Sequence, residues 1–188
     1  TAWVLLLLAT TMTVAAQSDE HHAHHHHAMQ LDRDGMVMNS NTTTLPRDYT
    51  EISETLSIEV RVGREHAVRG QAFGISQYQW QVAPCSRLDV TLINDDGVRH
   101  QWMVHGLPRY LYPQGMFHLE ANGNTQRQGS LIVPSDNASY LVHCDISQHM
   151  EKGLKAQLIV GRGSGALPSV PTISAPRYGD VYNAIQRD

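Results

Sequence analysis

Apolar and polar residues alternate in short runs across the middle of the chain, from about residue 55 to residue 162. In the first run, Ile58, Val60 and Val62 fall on one side of an extended strand, and Glu59 and Arg61 fall on the other. Similar runs follow, separated by turn-forming residues, a pattern typical of β-sandwiches and barrels. The predicted strands span residues 56–62, 78–82, 88–94, 100–105, 130–133, 139–144 and 155–160.

The first residues form one continuous apolar run instead of alternating with polar residues. Residues 2–16 read AWVLLLLATTMTVAA, a run shorter than the ~20 residues that a membrane-spanning helix needs. The small residues Val14, Ala15 and Ala16 stand before Gln17, as at a signal-peptidase site. We therefore expect residues 1–16 to be a cleaved signal peptide, with a periplasmic or otherwise exported product and no stable membrane insertion. The alternative is an uncleaved membrane anchor.

Residues 17–54 are polar and lack apolar periodicity, which predicts a flexible arm. Imidazole and thioether side chains suit copper, and imidazole also suits zinc and nickel, so the arm is a candidate for loose metal binding. An engineered purification tag is the alternative explanation. The arm's candidate ligands are His21, His22, His24, His25, His26 and His27, followed by Met29, Met36 and Met38.

The end of the chain is rich in glycine and proline. Gly163-Ser164-Gly165 and three later prolines predict an extended, loosely attached tail over residues 163–188. The domain proper is therefore expected over residues 55–162.

Composition narrows the classes of function. The 188 residues are enough for one domain with an apolar core and tails. The formal net charge of −4 gives no basic footprint, so we expect no nucleic-acid partner. Histidine is unusually abundant, with 12 copies against 14 lysines and arginines, which directs attention to metal chemistry.

The strongest chemical signal is a cysteine at the end of a predicted strand. Cys144 is followed five positions later by His149, and His100 begins an earlier strand. Two histidines and one thiolate form the trigonal ligand set of blue-copper sites, in which the soft sulfur selects copper. The other cysteine, Cys85, is then a lone thiol. A Cys85–Cys144 disulfide is the competing possibility in an exported protein, and it would destroy the site.

These segments resemble the copper-ligand segments of the cupredoxin superfamily, most closely those of multicopper oxidases and copper nitrite reductases. His100-Gln101 matches a family position where His is often followed by Asn, and Cys144 and His149 match the later ligands. The resemblance implies an all-β, cupredoxin-type Greek-key β-sandwich with flexible N- and C-terminal extensions. It places Leu154 at the axial position as a non-coordinating residue, although Met116 or a carbonyl group could serve there instead.

The resemblance also bears on His105 and His143. Side chains alternate across a strand, so both should lie on the face opposite His100 and Cys144. In the related enzymes these positions bind a second copper, which makes them possible ligands here. Met103 and Asp145 depart from the enzyme patterns, and further ligands would have to come from another domain or subunit. A homo-oligomer that also uses His118 is one such arrangement.

Three functions remain open at the level of sequence. The favoured one is single-electron transfer by a type 1 copper between redox protein partners. The second is copper storage or delivery, in which the His/Met-rich arm exchanges copper with donors and acceptors. The third is an oligomeric copper oxidase or reductase with a second copper centre. An electron carrier, and not an enzyme, is therefore the first expectation.

Overall fold

The computed structural model describes residues 29–176, which form two β-sheets packed face to face. The predicted signal peptide and the six histidines at positions 21–27 lie outside the described residues. Within residues 29–176, no helix has the length and apolar character needed to cross a membrane. The strands are β1 (Gln30–Asp32), β2 (Gly35–Met38), β3 (Thr55–Gly63), β4 (Gly74–Ile75), β5 (Gln79–Val82), β6 (Arg87–Asn94), β7 (His100–His105), β8 (Met116–Ala121), β9 (Gln126–Ile132), β10 (Ala138–His143) and β11 (Lys155–Val160), with one 3-10 turn at Arg64–His66.

The larger sheet has seven strands in the order β1-β2-β8-β7-β10-β11-β5, and the smaller has four in the order β4-β3-β6-β9. Two pairs, β5 with β11 and β3 with β6, are parallel, and the other pairs in the described part are antiparallel. The all-β sandwich predicted from the sequence is confirmed. Strand β8, which the sequence reading missed, pairs with β7, the strand that begins at His100.

Alternation along the strands builds the core between the sheets. In β7, Trp102 and Val104 are fully buried on the inner face. The Trp102 ring contacts Trp80 on β5 and Phe117 on β8, with centroid distances of 5.5 and 6.2 Å. Burial of large aromatic side chains is a main source of stability in such cores. The strands that carry the candidate ligands are therefore anchored from one side by rigid packing.

The predicted flexible arm is corrected over its final part. Residues 35–38 form β2, which pairs with β8, and Val37 joins the core with 6% of its surface exposed. The polar residues that follow are bonded to the domain: the Asn39 side chain donates to the Met116 carbonyl oxygen. Polar composition concealed this because local side chain–backbone hydrogen bonds replace apolar periodicity as the source of order.

The predicted loose tail is corrected over residues 163–176. Val170 is fully buried, and the backbone N–H of Leu167 donates to the Gln157 side chain at 2.8 Å. The Ser139 hydroxyl donates to the Gly165 carbonyl oxygen, which ties the segment to β10. The segment is a series of turns bonded to Ser139 on β10 and Gln157 on β11.

Candidate metal centre

The structure brings His100, Cys144 and His149 together at one end of the sandwich. His100 opens β7, Cys144 follows the last residue of β10, and His149 lies in the loop beyond it. The two Nδ1 atoms are 3.1 Å apart, and the Cys144 Sγ atom is 3.5 Å from the Nδ1 of His149. One ligand atom from each residue lies within 4.8 Å of the others, which is close enough for all three to hold one ion.

The loop from Cys144 to Leu154 is closed by its own backbone. The Cys144 N–H donates to the Leu154 carbonyl oxygen, and the Leu154 N–H donates to that of His149, at 3.1 and 3.0 Å. Between these bonds the chain makes consecutive turns, helped by a left-handed Gln148 with φ 65°. This closure holds Leu154, which is fully buried, beside both loop ligands.

Phe73 covers the two imidazoles, a role that sequence reasoning missed. Its ring centroid is 4.9 Å from that of His100 and 4.6 Å from that of His149. Gly153 makes this approach possible, because a Cβ atom there would collide with the Phe73 carbonyl oxygen. The Phe73 N–H donates to the Lys152 carbonyl oxygen at 3.0 Å, which locks the two segments together.

Asp96 orients His100 from behind. Its carboxylate lies 2.9 Å from the His100 Nε2 atom, and the His100 side chain is fully buried. Because an ionised carboxylate only accepts hydrogen bonds, Nε2 carries the hydrogen and Nδ1 keeps its lone pair for a metal. Carboxylate–histidine–metal arrangements of this kind fix the ring and strengthen the ligand. The sequence reading had assigned this Asp only to a turn.

Gln101, next to His100, connects three elements around the centre. Its side-chain oxygen accepts a hydrogen bond from the Asp145 N–H at 2.9 Å, which holds the start of the ligand loop. Its side-chain nitrogen donates to Glu120 on β8 at 2.7 Å. Gln101, next to His100 in the sequence, thus positions the loop that carries Cys144 and His149.

Burial sets the protonation state of these ligands. Burial raises the pKa of the Cys144 thiol to about 11, so the metal-free thiol is protonated at neutral pH. Burial, and then the neighbouring His100, lower the pKa of His149, which keeps that imidazole neutral. A bound cation reverses this balance, because it favours the thiolate directly. The chemistry of the site fits a soft metal ion.

His105 and His143 lie on the opposite face of the same sheet, and their ring centroids are 5.7 Å apart. His105 is exposed, whereas His143 is buried with 6% of its surface exposed. The structure brings the two rings near each other, as the parity argument expects. Their role as ligands of a second copper stays a prediction.

Two other parts of the described chain contain side chains that could bind a metal. Cys85 and Cys144 are both free and buried, and Cys85 lies near the Glu51 carbonyl oxygen instead of near the ligands. Glu65, His66 and Asp95 also cluster, but they are more exposed, and Arg61 already pairs with Asp95. The trigonal set is therefore the better metal site of the two groups.

No protein-family model matches the chain, and no curated protein matches it. Among solved structures, it is similar to auracyanin A, a "blue" copper protein of Chloroflexus aurantiacus, with 14% identity, a TM-score of 0.45, and coverage of 57% of this chain and 99% of that one. A copper nitrite reductase of Nitrosomonas europaea is similar at 15% identity, with a TM-score of 0.45 and coverage of 61% and 44% of the two chains. The multicopper oxidase mgLAC is similar at 14% identity, with a TM-score of 0.46 and coverage of 61% and 41%. The metal centre described above rests on the geometry of this chain alone.

Proposed function

We propose that the chain is a cupredoxin-type protein that binds one type 1 copper through His100, Cys144 and His149 and transfers single electrons. The observation that carries this proposal is the convergence of one sulfur and two Nδ1 atoms within 4.8 Å. Two imidazoles and one thiolate in a trigonal set are characteristic of blue-copper electron-transfer sites.

Copper, when bound, would accept and release one electron, and the chain holds its ligands in a fixed geometry. The closed loop and the Asp96 contact hold the donor atoms in place. Phe73 covers the imidazoles, and the buried Leu154 offers no thioether donor. A rigid site of this kind changes little between oxidation states, which favours fast electron exchange. His149 is partly exposed and is the natural point of approach for a redox protein partner.

Substitution of Cys144 tests the proposal. Copper-reconstituted protein should show an intense visible thiolate-to-copper absorption band and reversible one-electron cycling, and Cys144→Ser should abolish both. The matched control is Cys85→Ser, which removes the other buried thiol and should keep the band. A colourless protein that retains zinc in preference to copper, or a band that survives Cys144→Ser, contradicts the proposal.

The proposed location outside the cytoplasm rests on residues 1–16. Small residues before Gln17 match a signal-peptidase site, and an oxidising compartment suits a copper–thiolate centre served by other redox proteins. N-terminal sequencing of the protein recovered from the periplasm should begin at Gln17. Recovery of the intact N-terminus in the membrane fraction would support the anchor instead.

Copper storage or delivery is a second candidate, favoured by the six histidines at positions 21–27. It predicts more than one copper per chain and exchange with copper donors and acceptors. Because β2 belongs to the sheet, the test deletes residues 17–28 only and leaves β2 in place. Loss of the excess copper with retention of the visible band supports a handling arm beside an intact centre. Unchanged copper content contradicts it.

The oxidase or reductase alternative rests on the 5.7 Å approach of His105 and His143. It predicts a second, colourless Cu(II) signal in electron paramagnetic resonance of an oligomer, lost in His105→Ala. A single blue-type signal at full copper loading counts against an enzyme of this kind.

A further inference from the structure

Three basic side chains lie around His149, the one ligand of the inner centre that is partly exposed. Arg64 lies over the Phe73 ring, with its guanidinium carbon 6.0 Å from the ring centroid, and that ring is 4.6 Å from the His149 ring. The Lys152 carbonyl oxygen accepts a hydrogen bond from the Phe73 N–H, which places Lys152 beside the same ring. The charges of Lys152 and Arg99 both act on His149. We call Arg64, Lys152 and Arg99 the cationic surface.

Two of these three cations have no ionic partner in the described part of the chain. Arg64 is exposed and Lys152 is partly exposed, and no salt bridge among residues 29–176 involves either one. Arg99 is only partly neutralised, because its side chain is 56% exposed and one guanidinium nitrogen lies 3.4 Å from Glu120. The three charges are therefore available to a partner in solvent.

The exposed carboxylates that adjoin these cations in the sequence are directed to other groups. The Oε1 atom of Glu65 lies 3.3 Å from the Nε2 atom of His66. Glu151 lines, together with Lys155, a cavity between the ligand loop and the C-terminal segment. Neither carboxylate is paired with a member of the cationic surface.

The aspartates at this end of the sandwich are also engaged elsewhere. Asp96 is bonded to His100, and Asp95 is bonded to Arg61. Asp145 is exposed, but its charge acts on His143, on the outer face of the large sheet. The surroundings of His149 are thus locally positive, although the whole chain has a formal net charge of −4.

We infer that the cationic surface docks an acidic redox protein, with Arg64 and Lys152 as its main charged contacts. The inference rests on the proposed electron-transfer function and adds the chemical class of the partner. A positive surface on an anionic protein attracts a negative partner at one place and repels it elsewhere, so the partner is oriented toward His149. Binding to an anionic membrane takes clusters of about four to eight basic residues, more than the three found here.

The first test is binding, which needs no copper. The metal-free full chain is titrated at low salt with two c-type cytochromes, one with an acidic surface and one with a basic surface. The acidic cytochrome should bind more tightly, and its affinity should fall as ionic strength rises, because salt screens the attraction. The double variant Arg64→Gln/Lys152→Gln should weaken that binding by about tenfold.

The matched control is Arg109→Gln/Arg162→Gln, which also removes two exposed positive charges. Arg109 follows β7 and Arg162 follows β11, at the end of the sandwich opposite His149. This variant should bind the acidic cytochrome as the parent does. Equal weakening in both double variants, or tighter binding of the basic cytochrome by the parent, would overturn the inference. So would binding of the parent only to vesicles of anionic lipid.

Stopped-flow absorption on copper-loaded protein separates this inference from the function on which it rests. One electron passes from the reduced copper protein to the ferric haem, which becomes ferrous as the copper is oxidised to Cu(II). Transfer to the acidic cytochrome should be slower by about tenfold in Arg64→Gln/Lys152→Gln at low salt, at the lower end of the range for electrostatic steering. Binding of the acidic cytochrome without any electron transfer would contradict the electron-transfer function and leave the docking surface supported.

Discussion

The two faces of the seven-stranded sheet hold buried histidines in opposite states. On the inner face, His100 has a partner for each ring nitrogen, with His149 at 3.1 Å and Asp96 at 2.9 Å. On the outer face, both ring nitrogens of His143 lack a hydrogen-bond partner among the residues described. The two histidines stand on neighbouring strands and are both buried, yet only His100 has hydrogen-bond partners for its ring nitrogens among the described residues.

This difference shows how each face holds its histidines. On the inner face, the loop closure, Phe73 and Asp96 fix the donor atoms. The outer face leaves its imidazoles unsatisfied, and each such group costs roughly 1–3 kcal/mol of folding free energy. The inner face therefore holds its imidazole firmly, whereas the outer face carries the cost of unpartnered ring nitrogens.

The largest expected contrast is in pH dependence. Burial raises the pKa of Cys144 to about 11, so copper uptake at the inner centre displaces a proton at every pH below that value. Apparent copper affinity there should fall about tenfold for each unit of decreasing pH. In Cys144→Ser no thiol proton is displaced, so the copper affinity that remains should change much less between about pH 8 and pH 7.

Chelator competition at several pH values measures both slopes. One slope is taken on the parent protein and the other on protein carrying Cys144→Ser. Equal slopes in the two proteins would show that the thiol does not set the pH dependence.

The second-largest effect is the loss of copper affinity expected when the Asp96 carboxylate, which bonds His100, is removed. Asp96→Asn keeps the shape of the side chain but loses the charge that orients and strengthens His100, and such outer partners are typically worth about 10–100-fold in metal affinity. The neighbouring Asp95→Asn is the control, because Asp95 binds Arg61 and His66 instead of a ligand. Copper retention measured by dialysis should drop only in Asp96→Asn. An equal drop in both variants would assign the effect to the turn and not to His100.

The sequence predicted the strands that show clear alternation, and the three inner ligands lie at the start of one, just after another and in the loop that follows it. It missed β8, although Phe117 and Leu119 alternate there with His118 and Glu120. Polar residues on its outer face weaken the apolar signal of that run. Alternation alone was the signal that could have found it.

Other features of the site depend on contacts that no local pattern reveals. Phe73 meets His149 only because Gly153 admits its backbone, and neither residue is distinctive in the sequence. Strand β2 has a single buried apolar residue, Val37, and gains its order from pairing with β8. Long-range packing of this kind depends on the whole fold. The sequence therefore indicated the metal ligands better than the residues that hold them in place.

A smaller effect on stability should separate the faces in the absence of metal. His118→Leu replaces a buried imidazole whose Nε2 atom has no hydrogen-bond partner with an apolar side chain of similar size, and should stabilise the metal-free protein by about 1–3 kcal/mol. His66→Leu is the control, because that imidazole is bonded to Asp95 at 2.8 Å and its loss should give no gain. Urea unfolding of the metal-free variants gives both values. Destabilisation by His118→Leu would indicate that the imidazole has a partner in solution.

The smallest loss of folding free energy is expected for a substitution at the axial position. Leu154 is fully buried and its backbone is bonded to both Cys144 and His149, so Leu154→Met places a thioether beside the inner centre. Exchange of Leu for Met usually costs less than about 1.5 kcal/mol. An added thioether donor stabilises Cu(II), so the reduction potential measured by voltammetry should fall. Leu158→Met, at another fully buried core position, is the control for packing and should leave the potential unchanged. If both variants shift the potential equally, residue 154 does not face the copper, and the inner site's fourth position is set by a different group.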